Sequence, residues 1–146
     1  MRLELSAIIS APQERVWEIL ADWERYPAWM PDVAWVRPVG PERGEGMELA
    51  VRTKVLGVPL VTDRMRVTAL EPPRRMAIEH AGLVSGPAEW RLEPEGRGSR
   101  VRFVWIEHLR MPPPLLGNLA LWLYRPVLRL TFRWSMRNLA RLAQPG

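Results

Sequence analysis

The chain opens on a strict alternation. In RLELSAII the apolar residues Leu3, Leu5, Ala7 and Ile9 take every second position, which predicts a strand with one buried face. The period then lengthens. In APQERVWEILADWERYPAWMPDV, Pro12 stands in a first turn, where a missing N–H costs nothing, and Val16, Trp17, Ile19 and Leu20 form the apolar stripe of a short helix. Asp22 caps or breaks it, and WERYPAWMP predicts a second short helix ended by prolines.

From Val33 to Arg110 the period returns to two with turn punctuation, the pattern of consecutive antiparallel strands. VAWVRPV is the first. Met47, Leu49, Val51 and Val55 share a face of the next, and Val61, Met65, Val67 and Ala69 share a face of the third. Met76, Ile78 and His80 fall together, then Ala88, Trp90 and Leu92, then Val101, Phe103 and Trp105. Six strands thus join the N-terminal one. MPPP stops the sheet, and a long helical stretch runs from about Leu115 to Ala143 with Pro126 inside it, expected to kink the helix or start a second one. No repeat or linker interrupts the chain, so residues 1–146 are expected to form one domain.

Composition narrows the chemistry. Hydrophobic residues are 47% and charged residues 25%, values of a globular chain. The absence of cysteine excludes a disulfide framework, a thiolate zinc site and a cysteine nucleophile. His80 and His108 are too few for a histidine metal centre, so neither a metal nor a cofactor is expected. There is no Ser-His-Asp order and no HExxH, and GRGS is a hairpin tip with no helix after it, hence no phosphate cradle. MRLELSAIIS lacks the apolar block of an export signal, and LLGNLALWLY is far short of the roughly 20 residues that span a bilayer. A soluble, cytoplasmic protein is expected. Eight tryptophans suit a broad core or the wall of a cavity for a flat apolar ligand.

The order of elements, and the wording of two segments, resemble a known family. IISAPQERVWEILADWERYPAWMPDV is similar to the opening of the START-related polyketide cyclase/dehydrase and lipid-transport superfamily (SRPBCC), and AEWRLEPEGRGSRVRFVW to its penultimate hairpin. The resemblance implies the α+β helix-grip fold, a curved seven-stranded antiparallel sheet wrapped around the C-terminal helix, with two short helices after strand 1. It also implies a cavity between sheet and helix that takes a hydrophobic small molecule: a lipid, an isoprenoid or quinone, or a polyketide-like aromatic. Aromatase/cyclases, carriers, receptors and ribosome-associated proteins share that fold, so it does not choose among them.

Five arginines, Arg125, Arg129, Arg133, Arg137 and Arg141, recur at every fourth position of the C-terminal helix. At about 100° per residue they spread over half the circumference and centre near Arg133, a solvated face or an anion-binding one. The opposite face carries Tyr124, Leu128, Thr131, Ser135, Asn138 and Leu142. In the fold implied, that face looks into the sheet. Buried polar groups need partners, so Tyr124, Thr131, Ser135 and Asn138 either bond within the protein or line the cavity. His80 and Glu107 lie on apolar strand faces, as a base and its partner, a polar anchor for a ligand, or a satisfied histidine and an ion-paired acid. Trp29 and Trp35 flank the Pro31 turn near the expected cavity mouth, and Trp105 shares the face of Glu107. No catalytic residue is assigned; a cyclase or dehydratase would have only His80, Glu107 and Tyr124 to use. The rival reading is an RNA- or ribosome-associated protein gripping nucleic acid through the arginine row. LLGNLALWL, apolar nearly all round, is covered by the chain itself, by a homodimer partner or by a membrane surface.

Overall fold

Alternating positions give seven strands, and two amphipathic stretches give helices at either side of them. The computed structural model describes residues 1–145. β1 (Arg2–Ile9) leads into α1 (Gln13–Ala21), a 3-10 turn at Trp23–Arg25 and the single-turn α2 (Tyr26–Trp29). Then come β2 (Val33–Val39), β3 (Glu48–Val55), β4 (Val58–Glu71), β5 (Arg75–Ala81), β6 (Ser85–Glu95) and β7 (Arg100–His108), and finally α3 (Pro114–Ala143). All strand pairs are antiparallel, in the order β1-β7-β6-β5-β4-β3-β2. β2 to β7 therefore form a meander, and β1 returns to pair with β7, Leu5 facing Trp105. α3 packs on β1, α1 and α2. This is the helix-grip architecture.

Local sequence explains the small elements. Pro12 is the residue before α1 and not within its first turn, and Val16, Ile19 and Leu20 are its buried stripe. Tyr26 and Trp29, one turn apart in α2, are both buried, and the Tyr26 hydroxyl donates to the Leu20 carbonyl at 2.8 Å. That bond locks α2 to the end of α1.

Three register shifts interrupt the sheet, at Val33/Trp35, Thr53/Lys54 and Val67/Ala69, and two of them decide which of the expected side chains look inward, because one extra residue swaps every side chain beyond it. In β4 the register shifts between Val67 and Ala69, so Leu70, and not Ala69 as the simple alternation predicts, reaches the concave side. In β2 the shift lies between Val33 and Trp35; Val33 and Val36 are buried, and Trp35 pairs with Arg52 on the other side. The Arg37 guanidinium lies over the Trp35 ring at 4.2 Å, a cation–π contact away from the interior.

α3 is one helix through Pro126. Its inward stripe is Leu121, Phe132, Met136, Leu139 and Ala143, with Leu128 packed against the core. Relative to the face expected opposite the arginines, that stripe is rotated by roughly a fifth of a turn at about 100° per residue. Leu142 is consequently exposed, whereas Arg125 and Arg129 are half-buried and only the later arginines stand in water. The large apolar residues, spaced seven, four and seven apart from Leu121 through Leu128 and Phe132 to Leu139, set the orientation. A row of arginines that drifts 40° per step cannot stay opposite them.

Candidate ligand-binding cavity

Between the concave face of the sheet and α3 lies a cavity of about 1090 Å3. Its inner end is aromatic. Trp105 of β7 stacks on Phe132 of α3 with centroids 4.3 Å apart and planes 15° from parallel. Trp90 of β6 meets Trp105 edge to face at 5.6 Å, and Tyr26 of α2 meets Trp90 in the same manner at 5.6 Å. Offset and edge-to-face rings at these distances are the favoured aromatic geometries, so this end of the cavity is rigid. Methionines and aliphatics of β3, β4 and β5 make the opposite wall, among them Leu49, Met65, Val67, Met76 and Ile78.

Into this mostly apolar wall β5 and β7 set a buried, hydrogen-bonded polar pair. His80 Nε2 lies 2.9 Å from Glu107 Oε2, and the Trp105 indole N–H donates to Glu107 Oε1 at 2.9 Å. Glu107 is only 5% exposed, and both of its oxygens are engaged. The two residues sit on β5 and β7, with β6 between them. His80 is opposite Gly86 and Glu107 opposite Ala88, and those two small residues let the longer side chains meet above β6. Gly86 is required there: its φ is +125°, and a Cβ would collide with the His108 carbonyl oxygen.

Burial works against a charged His80, but the Glu107 charge, the hydrogen bond to it and the fields of Asp63 and Glu79 outweigh burial, and the imidazole holds its proton to higher pH than usual. No hydrogen bond joins His80 Nδ1 to another of the described residues. Asp32, just after Pro31, also faces the cavity; burial, with the Glu107 charge adding to it, pushes its carboxyl up to about 6. Among the described residues no group of His, Cys, Asp and Glu is arranged to hold a metal ion.

Of the residues singled out in the sequence, His80, Trp105, Glu107, Tyr124 and Thr131 line the cavity together. The other four do not. Trp29 is buried behind Trp90 and Trp105, its Nε1 without a partner. Trp35 faces away because of the β2 bulge. Ser135 donates to the Thr131 carbonyl at 2.9 Å within the helix, and Asn138 Nδ2 donates to the Trp29 carbonyl at 3.2 Å, pinning α3 to α2. Both polar groups are satisfied inside the protein. Phe132, Trp90 and Asp32 were missed as wall residues; Phe132 lies on the stripe of Leu121, Leu128 and Leu139, and that stripe was the available signal.

A curved sheet gripping a helix over a mostly apolar cavity with a buried His–Glu pair defines the chain as a helix-grip protein. Residues 1–144 match the model of the family described as polyketide cyclase/dehydrase and lipid transport, and the chain belongs to that family. Among solved structures it is similar to the Zhui aromatase/cyclase from Streptomyces sp. R1128, at 20% identity over 98% of this chain and 93% of that one, with a TM-score of 0.83. It is similar to the protein TTHA0849 from Thermus thermophilus, at 19% identity over 98% and 97% of the two chains, TM-score 0.78. A START superfamily protein from Mycobacterium smegmatis matches at 13% identity over 97% and 92%, TM-score 0.68. At these identities the likeness is one of fold. No curated protein matches the sequence.

Proposed function

We propose that the protein binds a flat or elongated hydrophobic molecule carrying a carbonyl or hydroxyl group, held in the cavity with that oxygen at His80. The observation that carries this reading is the His80–Glu107 pair, a buried and hydrogen-bonded polar anchor in a mostly apolar wall. The apolar wall supplies affinity: a ligand burying roughly 300 Å2 of apolar surface gains about 7 kcal/mol before the entropy of binding is subtracted. The anchor supplies orientation. With Nε2 committed to Glu107, a neutral His80 offers Nδ1 as an acceptor to a ligand hydroxyl, and a protonated one offers Nδ1–H to a carbonyl. The similarity to an aromatase/cyclase supports a polyketide-like aromatic within this class.

Native mass spectrometry of the purified protein, with organic extraction of whatever travels with it, tests the reading. A co-purified hydrophobic compound that is lost in Thr131→Trp, where the new indole fills the cavity, supports it. Retention of the same compound by a folded Thr131→Trp variant would place the ligand elsewhere and sink the reading.

The same pair favours a second, catalytic reading. As an enol carbon of a polyketone attacks a ketone carbon of the same chain, the C=O electron pair takes a proton from His80 Nδ1, and the enol hydroxyl returns one to the imidazole. The product is a β-hydroxyketone, and loss of its new hydroxyl with a proton of the neighbouring carbon, as water, gives the enone; cyclisation of an aryl-substituted diketone, followed by the near-ultraviolet band of that enone, would be abolished by His80→Gln. Equal rates for wild type and variant would exclude this role.

A further inference from the structure

α3 carries a second apolar stripe that the core does not use. Leu116, Ala120, Leu123, Val127, Leu130 and Trp134 follow one another at spacings of four, three, four, three and four, one continuous helix face. Leu116, Leu123, Leu130 and Trp134 are between 55% and 70% exposed. The face then changes character without changing direction: at about 100° per residue, Arg137 and Arg141 continue it toward the C-terminus. Across its 30 residues α3 contains five arginines and no Asp, Glu, Lys or His, and among the described residues none of those arginines forms an ion pair.

The stripe borders the cavity. Trp134, Leu56 and Leu83 are more than half exposed and also line the cavity, so they stand at its mouth. Leu56 occupies the tip of the β3–β4 hairpin at φ +50°, followed by Gly57 at φ +84°. Two successive positive φ values make a turn that favours Asn-Gly, and a leucine there is strained and 76% exposed. Local stability and solubility would both be better served by a polar residue.

We propose that the outer face of α3 and the Leu56 hairpin tip dock on an anionic lipid surface, with the cavity mouth against it. Leucines and Trp134 enter the interface, and Arg137 and Arg141 meet the acidic headgroups, the division of labour of an interfacial amphipathic helix. Charge selects lipid over a second copy of the chain: two α3 helices packed on this stripe would add Arg137 and Arg141 of each copy to the seam with no carboxylate on either helix to meet them, whereas acidic headgroups pair with both. Docking goes beyond ligand binding and is measured on empty protein, so its failure would leave the cavity reading intact.

The test is flotation of ligand-free protein with vesicles of phosphatidylcholine alone and of phosphatidylcholine with about one-third phosphatidylglycerol. Flotation with the anionic vesicles, weakened by salt and far smaller with neutral ones, is expected. Arg137→Glu and Arg141→Glu should each lower the bound-to-free ratio by roughly fivefold or more. Leu123→Asp combined with Leu130→Asp should abolish flotation while circular dichroism shows the fold unchanged, since both side chains already stand in solvent. Four results would overturn the proposal: no flotation of the wild type, equal flotation on neutral vesicles, a dimer in solution that those aspartates dissociate, or salt-sensitive RNA binding in place of vesicle binding.

Discussion

His80 and Glu107 touch although a whole strand lies between them. Their backbones belong to β5 and β7, about 10 Å apart at two strand spacings, and the 2.9 Å contact exists because β6 presents only Gly86 and Ala88 beneath it. Glu107 thereby holds a histidine on one oxygen and the Trp105 indole on the other. Replacing Glu107 by Gln should lower the His80 pKa, because the charge that outweighs burial is gone; imidazole resonances followed through a pH titration would show it. Replacing it by Leu leaves the Trp105 N–H buried without an acceptor and should cost about 1–3 kcal/mol in urea denaturation.

Gly86 should be the least replaceable residue of β6. In Gly86→Ala the new methyl collides with the His108 carbonyl, and the strained φ adds to the cost. A loss above about 2 kcal/mol is expected. β7 would have to move from β6, so the His80 signal should shift toward that of an unpaired imidazole. An unchanged His80 titration in a destabilised Gly86→Ala would show that the pair does not depend on this close approach.

Stability should fall as pH rises from acid to neutral. His80 keeps its proton above the ordinary 6.5 in the folded state, so its contribution is complete below 6.5 and disappears as pH climbs through the raised value. Asp32 acts with the same sign: its contribution is complete below 3.8 and is lost as pH rises through about 6. Arg43, Lys54, Asp63, His80, Glu89 and Glu107 face the same cavity and share its field. Asp32→Asn removes only the Asp32 part. It should gain on the order of 1–2 kcal/mol at neutral pH and nothing near pH 4. Thermal melts of the two proteins across that range would decide it.

Asn138 and Ser135 should matter to the fold and not to the ligand. Asn138→Ala removes the bond to the Trp29 carbonyl and should cost about 1 kcal/mol. Ser135→Ala should be close to neutral, because its hydroxyl only reaches back to the Thr131 carbonyl. Neither should change uptake of 1-anilinonaphthalene-8-sulfonate, whereas Thr131→Trp should reduce it severalfold. A fluorescence titration of the three variants distinguishes wall from scaffold.

The strands were legible in the sequence because each has one buried face and a period of two, and the terminal helix because its length leaves no alternative. Rotation of α3 was not legible. The arginine row suggested an axis that the larger stripe of Leu121, Phe132 and Leu139 overrides, and this moved Ser135 and Asn138 from the wall into the scaffold. Trp35 was misplaced for another reason: a bulge is a property of strand pairing and leaves no mark in the alternation of one strand. His80 and Glu107 could each be placed on an inward face. Their meeting could not be read, since it depends on the registers of β5, β6 and β7 together.

The pairing of β1 with β7 has a consequence for the order in which the molecule assembles. β2 to β7 close on one another through short turns, but β1 must find a partner about a hundred residues away, a loop closure costing about 4 kcal/mol in chain entropy. β1, which precedes the meander in the chain, is thus expected to be placed late, after the meander is complete and together with α3, which follows it. Pulsed hydrogen exchange during refolding should find the β1 amides protected after those of β3 to β6. Until then the concave sheet stands open along its length, and a hydrophobic molecule could settle on it before β1 and α3 close the cavity.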